Sequence, residues 1–272
     1  MDVDKDLTKA LESADAVFVA LHGRDGEDGN VQLVCEGLGV PYTGSAPLTC
    51  RFCFDKGLAK GILNHAGLPT PPAFVLPVEA IRHMGAGTAL RRAATAIGYP
   101  LIVKPSAQGS ALGLTVVDEP DELSAAALAA FSHGDRILLE RFVSGTDVSV
   151  ALHGTDLNAL PAVEIRTSAR VFDFETRVSP GAFELICPTS TADDSTLTLA
   201  VNAAQTLGVR DFGRVDMRIG DDGPTVLDVK TCPGLTETSI VPFATQTAGL
   251  AFEDVVGPAV EAAFARASTA RT

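Results

Sequence analysis

The sequence predicts an α+β protein with a small parallel α/β piece at its start. Three observations carry that expectation. Strand-like and helix-like runs alternate through the chain, the later strands come as hairpins that imply antiparallel sheet, and an apolar strand opens the sequence. The 272 residues exceed one small domain and suggest two or three subdomains, with 46% hydrophobic residues to build their cores.

In chain order, Asp15–Leu21 is an apolar run that reads as a buried strand. It ends in a glycine-crowded loop, residues 22–29, in which His22 and Glu27 read on local evidence as loop polars. A helix is expected at Val31–Leu38, closed by Gly39, and another at Leu48–His65, stopped by Gly67 and Pro69. Lys56 and Lys60 are four residues apart on the latter, so they share a face. A short extended piece lies among Pro69, Pro71, Pro72 and Pro77, and a helix spans Thr88–Ile97.

Residues 101–117 read strand, glycine loop, strand. Lys104, just before a Gly/Ser loop, suits a phosphate clamp, although the P-loop order is absent. A helix follows at Glu119–Phe131, then strands Ile137–Phe142 and Asp147–Leu152. Glu140 lies within an apolar strand, where a carboxylate is costly unless paired. Val171–Val178 is loop-like, and Asp193–Leu207 is helical.

Arg214–Ile219 and Thr225–Lys230 form a hairpin around Gly220–Pro224, a loop somewhat longer than the tightest kind. Alternation puts Arg214, Asp216 and Arg218 on one face, and Asp228 and Lys230 on one face of the partner. If those faces coincide, two carboxylates meet several cations. That set suits Mg²⁺, which takes one or two protein carboxylates and completes its shell with water and phosphate; two surface acids beside a turn is the bland alternative. Phe252–Phe264 is an amphipathic helix that Pro258 either kinks or starts late.

A net charge of −13 argues against nucleic-acid or anionic-membrane partners. No apolar run is long enough for a bilayer, and the acidic start lacks a signal-peptide core, so a cytosolic protein is expected. The five scattered cysteines are read as buried thiols.

Taken together, residues 21–29, 41–45, 55–56, 103–105 with 109–110, 139–142, 172–175, 213–216 and 231–236 with Ser239 resemble the D-alanine–D-alanine ligases of the ATP-grasp superfamily, in order and spacing. The resemblance implies two antiparallel subdomains gripping ATP, residues 46–139 and 140–272, behind a remnant of an N-terminal substrate domain at 1–45. Lys56, Lys104 and Arg177 would hold ATP phosphates. Glu140, Arg141 and Val143 would meet adenine, and Asp147 the ribose. Asp216 and Asp228 would bind Mg²⁺ or Mn²⁺. Arg214 and the Gly234 N–H would stabilise an oxyanion, and Ser110 would anchor the glycine loop. His22 and Glu27 would border the first amino acid, and Ser239 would take the second one's carboxylate. The implied activity is ADP-forming ligation of D-alanine to D-alanine for peptidoglycan. A specialised-metabolism ligase and a non-catalytic nucleotide binder are the alternatives, and a homodimer is an open expectation.

The sequence also departs from the family pattern. It begins beyond the family's first strand and its glycine-rich, Glu-bearing loop. Lys230 replaces an Asn and would stand in for a second metal, so that one ion is expected. Asp228 replaces the usual Glu, Ala111 a Ser, and Val178 a lid Tyr, which implies looser closure and altered amino-acid preference.

Overall fold

The computed structural model describes residues 3–270. It begins with α1 (Val3–Glu12), α2 (Asn30–Leu38), α3 (Pro47–Phe54) and α4 (Lys56–His65). Strand β1 (Ala73–Pro77), α5 (Val78–Met84), α6 (Ala86–Ile97), β2 (Leu101–Pro105), β3 (Thr115–Val117), α7 (Leu123–Phe131) and β4 (Arg136–Arg141) come next. Then follow β5 (Thr146–His153), β6 (Asn158–Ala159), β7 (Val163–Thr167), α8 (Phe174–Val178), β8 (Phe183–Ile186), α9 (Asp194–Leu207), β9 (Phe212–Gly220), β10 (Gly223–Lys230), α10 (Ile240–Thr247) and α11 (Phe252–Ala270).

The strands form two antiparallel sheets. One has the order β1-β4-β2-β3; the other runs β10-β9-β5-β7-β8, with β6 on β5. The first sheet buries Leu101, Val103, Ile137 and Leu139 against α6 and α7. The second buries Val148, Val150 and Leu152 of β5 against α9, together with Cys53, Ala59 and Leu63 of α3 and α4. Its other face carries Ala151, Val163 and Ile165 against α10 and α11. Period-two alternation therefore leaves Asp147 and Ser149 on the opposite face from the β5 core residues.

The opening apolar run departs from expectation. Residues 15–21 are not a buried strand: they make one isolated parallel bridge, Val17 to Tyr42, and Phe18 and Leu21 are exposed while Val19 is buried. An apolar run becomes a sheet strand only with neighbours to pair with, and among the described residues this one has a single bridge partner. The helix expected over 48–65 is two helices. Asp55 breaks it by capping α4, accepting from the N–H groups of Gly57 and Leu58. The Asp55 carboxylate also accepts from Ser106 Oγ at 2.5 Å and pairs with Arg136 at 2.6 Å, tying the start of α4 to β2 and β4.

The 171–178 loop contains the short helix α8, capped by Asp173. The 119–131 helix opens with a 3-10 turn at Pro120–Glu122 under a Glu119 capping box. The hairpin loop is tighter than expected, because Gly220 pairs with Gly223 around a two-residue turn. Pro258 lies inside α11, which starts no later for it. Four of the cysteines are buried and Cys187 is half-buried, all as free thiols.

The link between the sheets turns at Gly145, with φ 137° and a hypothetical Cβ 2.2 Å from Ile219 O. Gly145→Ala combines backbone strain with a clash against the strand, and is expected to cost about 3 kcal/mol or more in urea unfolding.

Candidate functional site

The two sheets face each other across a cleft of about 500 Å³, lined by every residue to which the resemblance gave a site role, whereas Lys60 and Val178 lie outside its lining. Seven cationic side chains and five carboxylates border it, so a protein of charge −13 presents a locally positive cavity. That polarity suits a polyanionic ligand.

The hairpin supplies the floor. Asp216 lies directly across from Asp228, and Arg214 from Lys230, so the faces do coincide. Arg214 Nε and Nη2 donate to the two oxygens of Asp216, each at 2.7 Å, and Ser149 Oγ donates to Oδ1 at 2.6 Å. Burial opposes ionisation of Asp216, but Arg214 outweighs it and lowers the carboxyl pKa. Asp228 accepts Lys230 at 3.2 Å and Lys56 at 3.4 Å. Burial again opposes the charge, and these two ammoniums hold the carboxyl well below the usual range. Lys230 also reaches Glu27 at 3.5 Å. Burial disfavours its charge, but Asp228 and Glu27 push its pKa up.

The clamp lysines come from different elements. Lys56, the first residue of α4, donates to Gln108 O at 2.8 Å and so ties down the glycine loop. Burial brings its pKa down to about 8, opposed by Asp228. Lys104 of β2 pairs with Glu140 of β4, which also accepts Lys60 at 2.9 Å. Burial works against the Glu140 charge, and the two lysines still lower its pKa to about 2. The costly carboxylate in an apolar strand thus has its partners. Both α4 lysines are buried rather than on a solvated face.

The expectation that Ser110 anchors the glycine loop meets a different geometry: Ser110 is exposed at the rim with φ 55°, and Lys56 and Gln108 hold the loop. Positive φ in a non-glycine residue beside a ligand cleft is a strained conformation of the kind that gathers at functional sites.

Arg177 of α8 stacks on Phe172 at 4.4 Å, and its buried Nε has no hydrogen-bond partner. Burial and the nearby Arg214 lower its pKa. Val178 is exposed at the end of the same helix. Arg141 donates to Ile97 O. Val143 O accepts from Arg218 at 2.9 Å, and Asp147 pairs with Arg218 at 2.9 Å. Arg218 is a cleft residue that sequence reasoning assigned to no role. Alternation placed it on the correct face, but nothing in the sequence identified Asp147 as the residue opposite.

At the far end, His22 Nδ1 lies 3.2 Å from Cys232 O. Gly234 sits so close to Ser239 that a Cβ would meet Ser239 Oγ at 2.6 Å. Ser239 Oγ and Thr236 Oγ1 share a hydrogen bond at 2.8 Å.

Two antiparallel sheets closing on a cation-lined cleft, with a carboxylate pair on its floor, fit the ATP-grasp arrangement that the sequence resemblance implies. The family models described as D-ala D-ala ligase C-terminus and N-terminus match residues 62–261 and 2–45. The chain belongs to the D-alanine–D-alanine ligase family. It is 34% identical over 271 residues to the D-alanine–D-alanine ligase of Pelotomaculum thermopropionicum, covering 97% of this chain and 85% of that protein. It is 38% identical over 251 residues to the Alcanivorax borkumensis ligase, covering 91% and 76%. The Bacillus anthracis D-alanine–D-alanine ligase complexed with ATP superposes with a TM-score of 0.79 at 25% identity, covering 99% of this chain and 85% of that one. No helix among the described residues is long and apolar enough to cross a membrane.

Proposed function

We propose that this protein joins D-alanine to D-alanine at the expense of ATP, through an acyl phosphate, to supply peptidoglycan precursor. The observation that carries the mechanism is the charge arrangement of the cleft. Lys56, Lys104 and Lys230 each already face a carboxylate, whereas Arg177 has no ion-pair partner among the described residues. Arg141 also lacks an ion pair among those residues, but its guanidinium donates to Ile97 O, so the half-buried Arg177 is the cation left for the phosphoryl group in flight.

The chemistry needs no nucleophilic side chain. The carboxylate of the first D-alanine takes the γ-phosphoryl group of ATP and releases ADP. The amine of the second attacks the acyl phosphate and expels phosphate. Catalysis is positioning plus neutralisation of spreading negative charge. Lys56 and Lys104 hold the phosphate chain from α4 and β2. The Asp147 carboxylate receives the ribose hydroxyls, and the 140–143 segment faces adenine. Arg214 and the Gly234 N–H donate to the tetrahedral oxyanion, and Ser239 binds the second substrate's carboxylate. His22 and Glu27 border the first amino acid.

The donor set fits a divalent cation. Asp216 and Asp228 are opposed carboxylates on the cleft face, and Mg²⁺ completes such a pair with water and phosphate oxygens. Bound there, the ion would neutralise phosphate charge as a Lewis acid. One ion rather than two is proposed, because the Lys230 ammonium, 3.2 Å from Asp228, brings to this pair the positive charge that a second ion would supply. A unit charge about 5 Å from a dication costs about 6–7 kcal/mol at an effective dielectric of about 20. Mn²⁺ titration followed by electron paramagnetic resonance, with a non-hydrolysable ATP analogue bound, is expected to count one ion per chain. Two tight ions would overturn the assignment.

The activity itself is tested by ADP release with and without D-alanine, and by chromatography of the product. D-alanine-dependent ADP and a D-alanyl-D-alanine peak are expected. ATP binding without D-alanine-dependent turnover would refute the function.

A further inference from the structure

Arg218 is 8% exposed, on the cleft face of β9, directly across from Asp147 of β5. Its Nε lies 2.9 Å from Asp147 Oδ1, and its Nη2 lies 3.3 Å from Oδ2. The same guanidinium donates through Nη1 to Val143 O at 2.9 Å and through Nη2 to Arg170 O at 2.7 Å. It lies 5.1 Å from the centre of the Phe142 ring, and Arg170 lies 4.5 Å from that ring. Arg170 in turn makes a two-oxygen pair with Asp118, at the end of β3 in the other sheet. One buried side chain thus fixes the Asp147 carboxylate, the 142–147 link between the sheets, and the 168–173 segment that leads to Arg177.

The acceptor geometry of Asp147 gives this arrangement a chemical consequence. An ionised carboxylate offers about four acceptor sites, two on each oxygen. Arg218 donates to Oδ2 and lies in ion-pair contact with Oδ1 without hydrogen-bond geometry, so at least one acceptor site stays open on each oxygen. That pattern is complementary to two neighbouring hydroxyls. Burial raises the Asp147 pKa against the pull of Arg218, so the guanidinium also serves to keep the carboxylate ionised.

We infer that Arg218 is a positioning residue that sets Asp147 as a two-point acceptor for the vicinal hydroxyls of the nucleotide sugar, so that discrimination between ribo- and deoxyribonucleotides resides in the Arg218–Asp147 pair. This rests on the reading of the cleft as the ATP site. The residue acts on nucleotide selection and touches none of the reacting atoms.

The test compares ATP, 2′-deoxy-ATP and 3′-deoxy-ATP as phosphoryl donors in the wild type, Arg218→Met, Arg218→Lys and Asp147→Asn. The wild type is expected to prefer ATP over either deoxynucleotide by about 10-fold or more in kcat/KM, the scale of one hydrogen bond to a charged group. Arg218→Met should raise KM for ATP by about 10-fold or more, leave kcat at saturation within about threefold, and abolish most of the sugar preference. Arg218→Lys keeps the charge but not the fork, so it should hold the carboxylate ionised and recover KM only in part. Should Arg218→Met prove poorly folded by thermal unfolding, the lysine variant carries the same comparison. If the variants raise KM equally for all three nucleotides while Asp147→Asn abolishes the preference, the sugar site stands and the role given to Arg218 falls. If the wild type shows no preference, the Asp147 reading falls and this inference falls with it.

Discussion

Arg214→Met is expected to lower kcat by about 10²–10³-fold while moving KM for ATP by no more than about threefold, the signature of a donor used only in the transition state. The guanidinium is 8% exposed and held by two bonds to Asp216, so it is oriented before substrate arrives. Burial opposes its charge, but Asp216 raises its pKa further, so the donor stays cationic. Two of its nitrogens are committed to Asp216, and Nη1 is left for a ligand. Oxygen charge grows on the attacked carbonyl only as the amine adds, so a pre-oriented cation acts most strongly at that moment. Steady-state kinetics with saturating D-alanine measures the loss. A change in KM alone, with kcat unaltered, would assign Arg214 to ground-state binding instead. Arg214→Lys separates charge from geometry: it keeps the cation, loses the fork to Asp216, and should recover only part of kcat.

That a floor of this kind existed was legible because it is local. Residues 212–230 alternate cleanly around a glycine-bounded turn, and a two-strand register then fixes which side chains meet. The clamp was legible in type but not in its partners. Glu140 stood out as a carboxylate in an apolar strand, yet Lys60 and Lys104 reach it from α4 and β2, and no local pattern states that. The same limit explains Arg218, whose partners lie on β5, on the link between the sheets and on the 168–173 segment.

Short elements were harder to see. β7 and β8 have five and four residues, too few for a periodic signal, and their pairing is set by neighbours in the sheet. The break at Asp55 did have a signal, since an Asp ahead of Lys-Gly can cap a new helix as easily as continue an old one. Hydrophobicity alone misled at residues 15–21, where apolar character is present and sheet neighbours are few.

The Lys56 ammonium makes the second large effect one of pH. Desolvation lowers its pKa to about 8, with Asp228 raising it and Lys230 and Lys104 lowering it. Only the protonated form attracts phosphate. kcat/KM for ATP, which reports groups of the free enzyme, is therefore expected to fall above pH about 8, approaching tenfold per pH unit. Bound phosphates favour the charged lysine, so the same limb in kcat should lie at higher pH. Lys56→Met should lower the plateau by about 10- to 100-fold, the loss of one or two charge-assisted contacts, and remove the alkaline limb. Unfolding cannot mimic this limb through Lys56. Its folded pKa lies below the unfolded value of 10.5, so between pH 8 and 10.5 the unfolded chain binds more protons and stability from this group rises with pH, by about 3 kcal/mol at most. Activity lost while the fold gains stability isolates the ammonium as the cause. A limb that survives in Lys56→Met would shift the assignment to another base in the cleft.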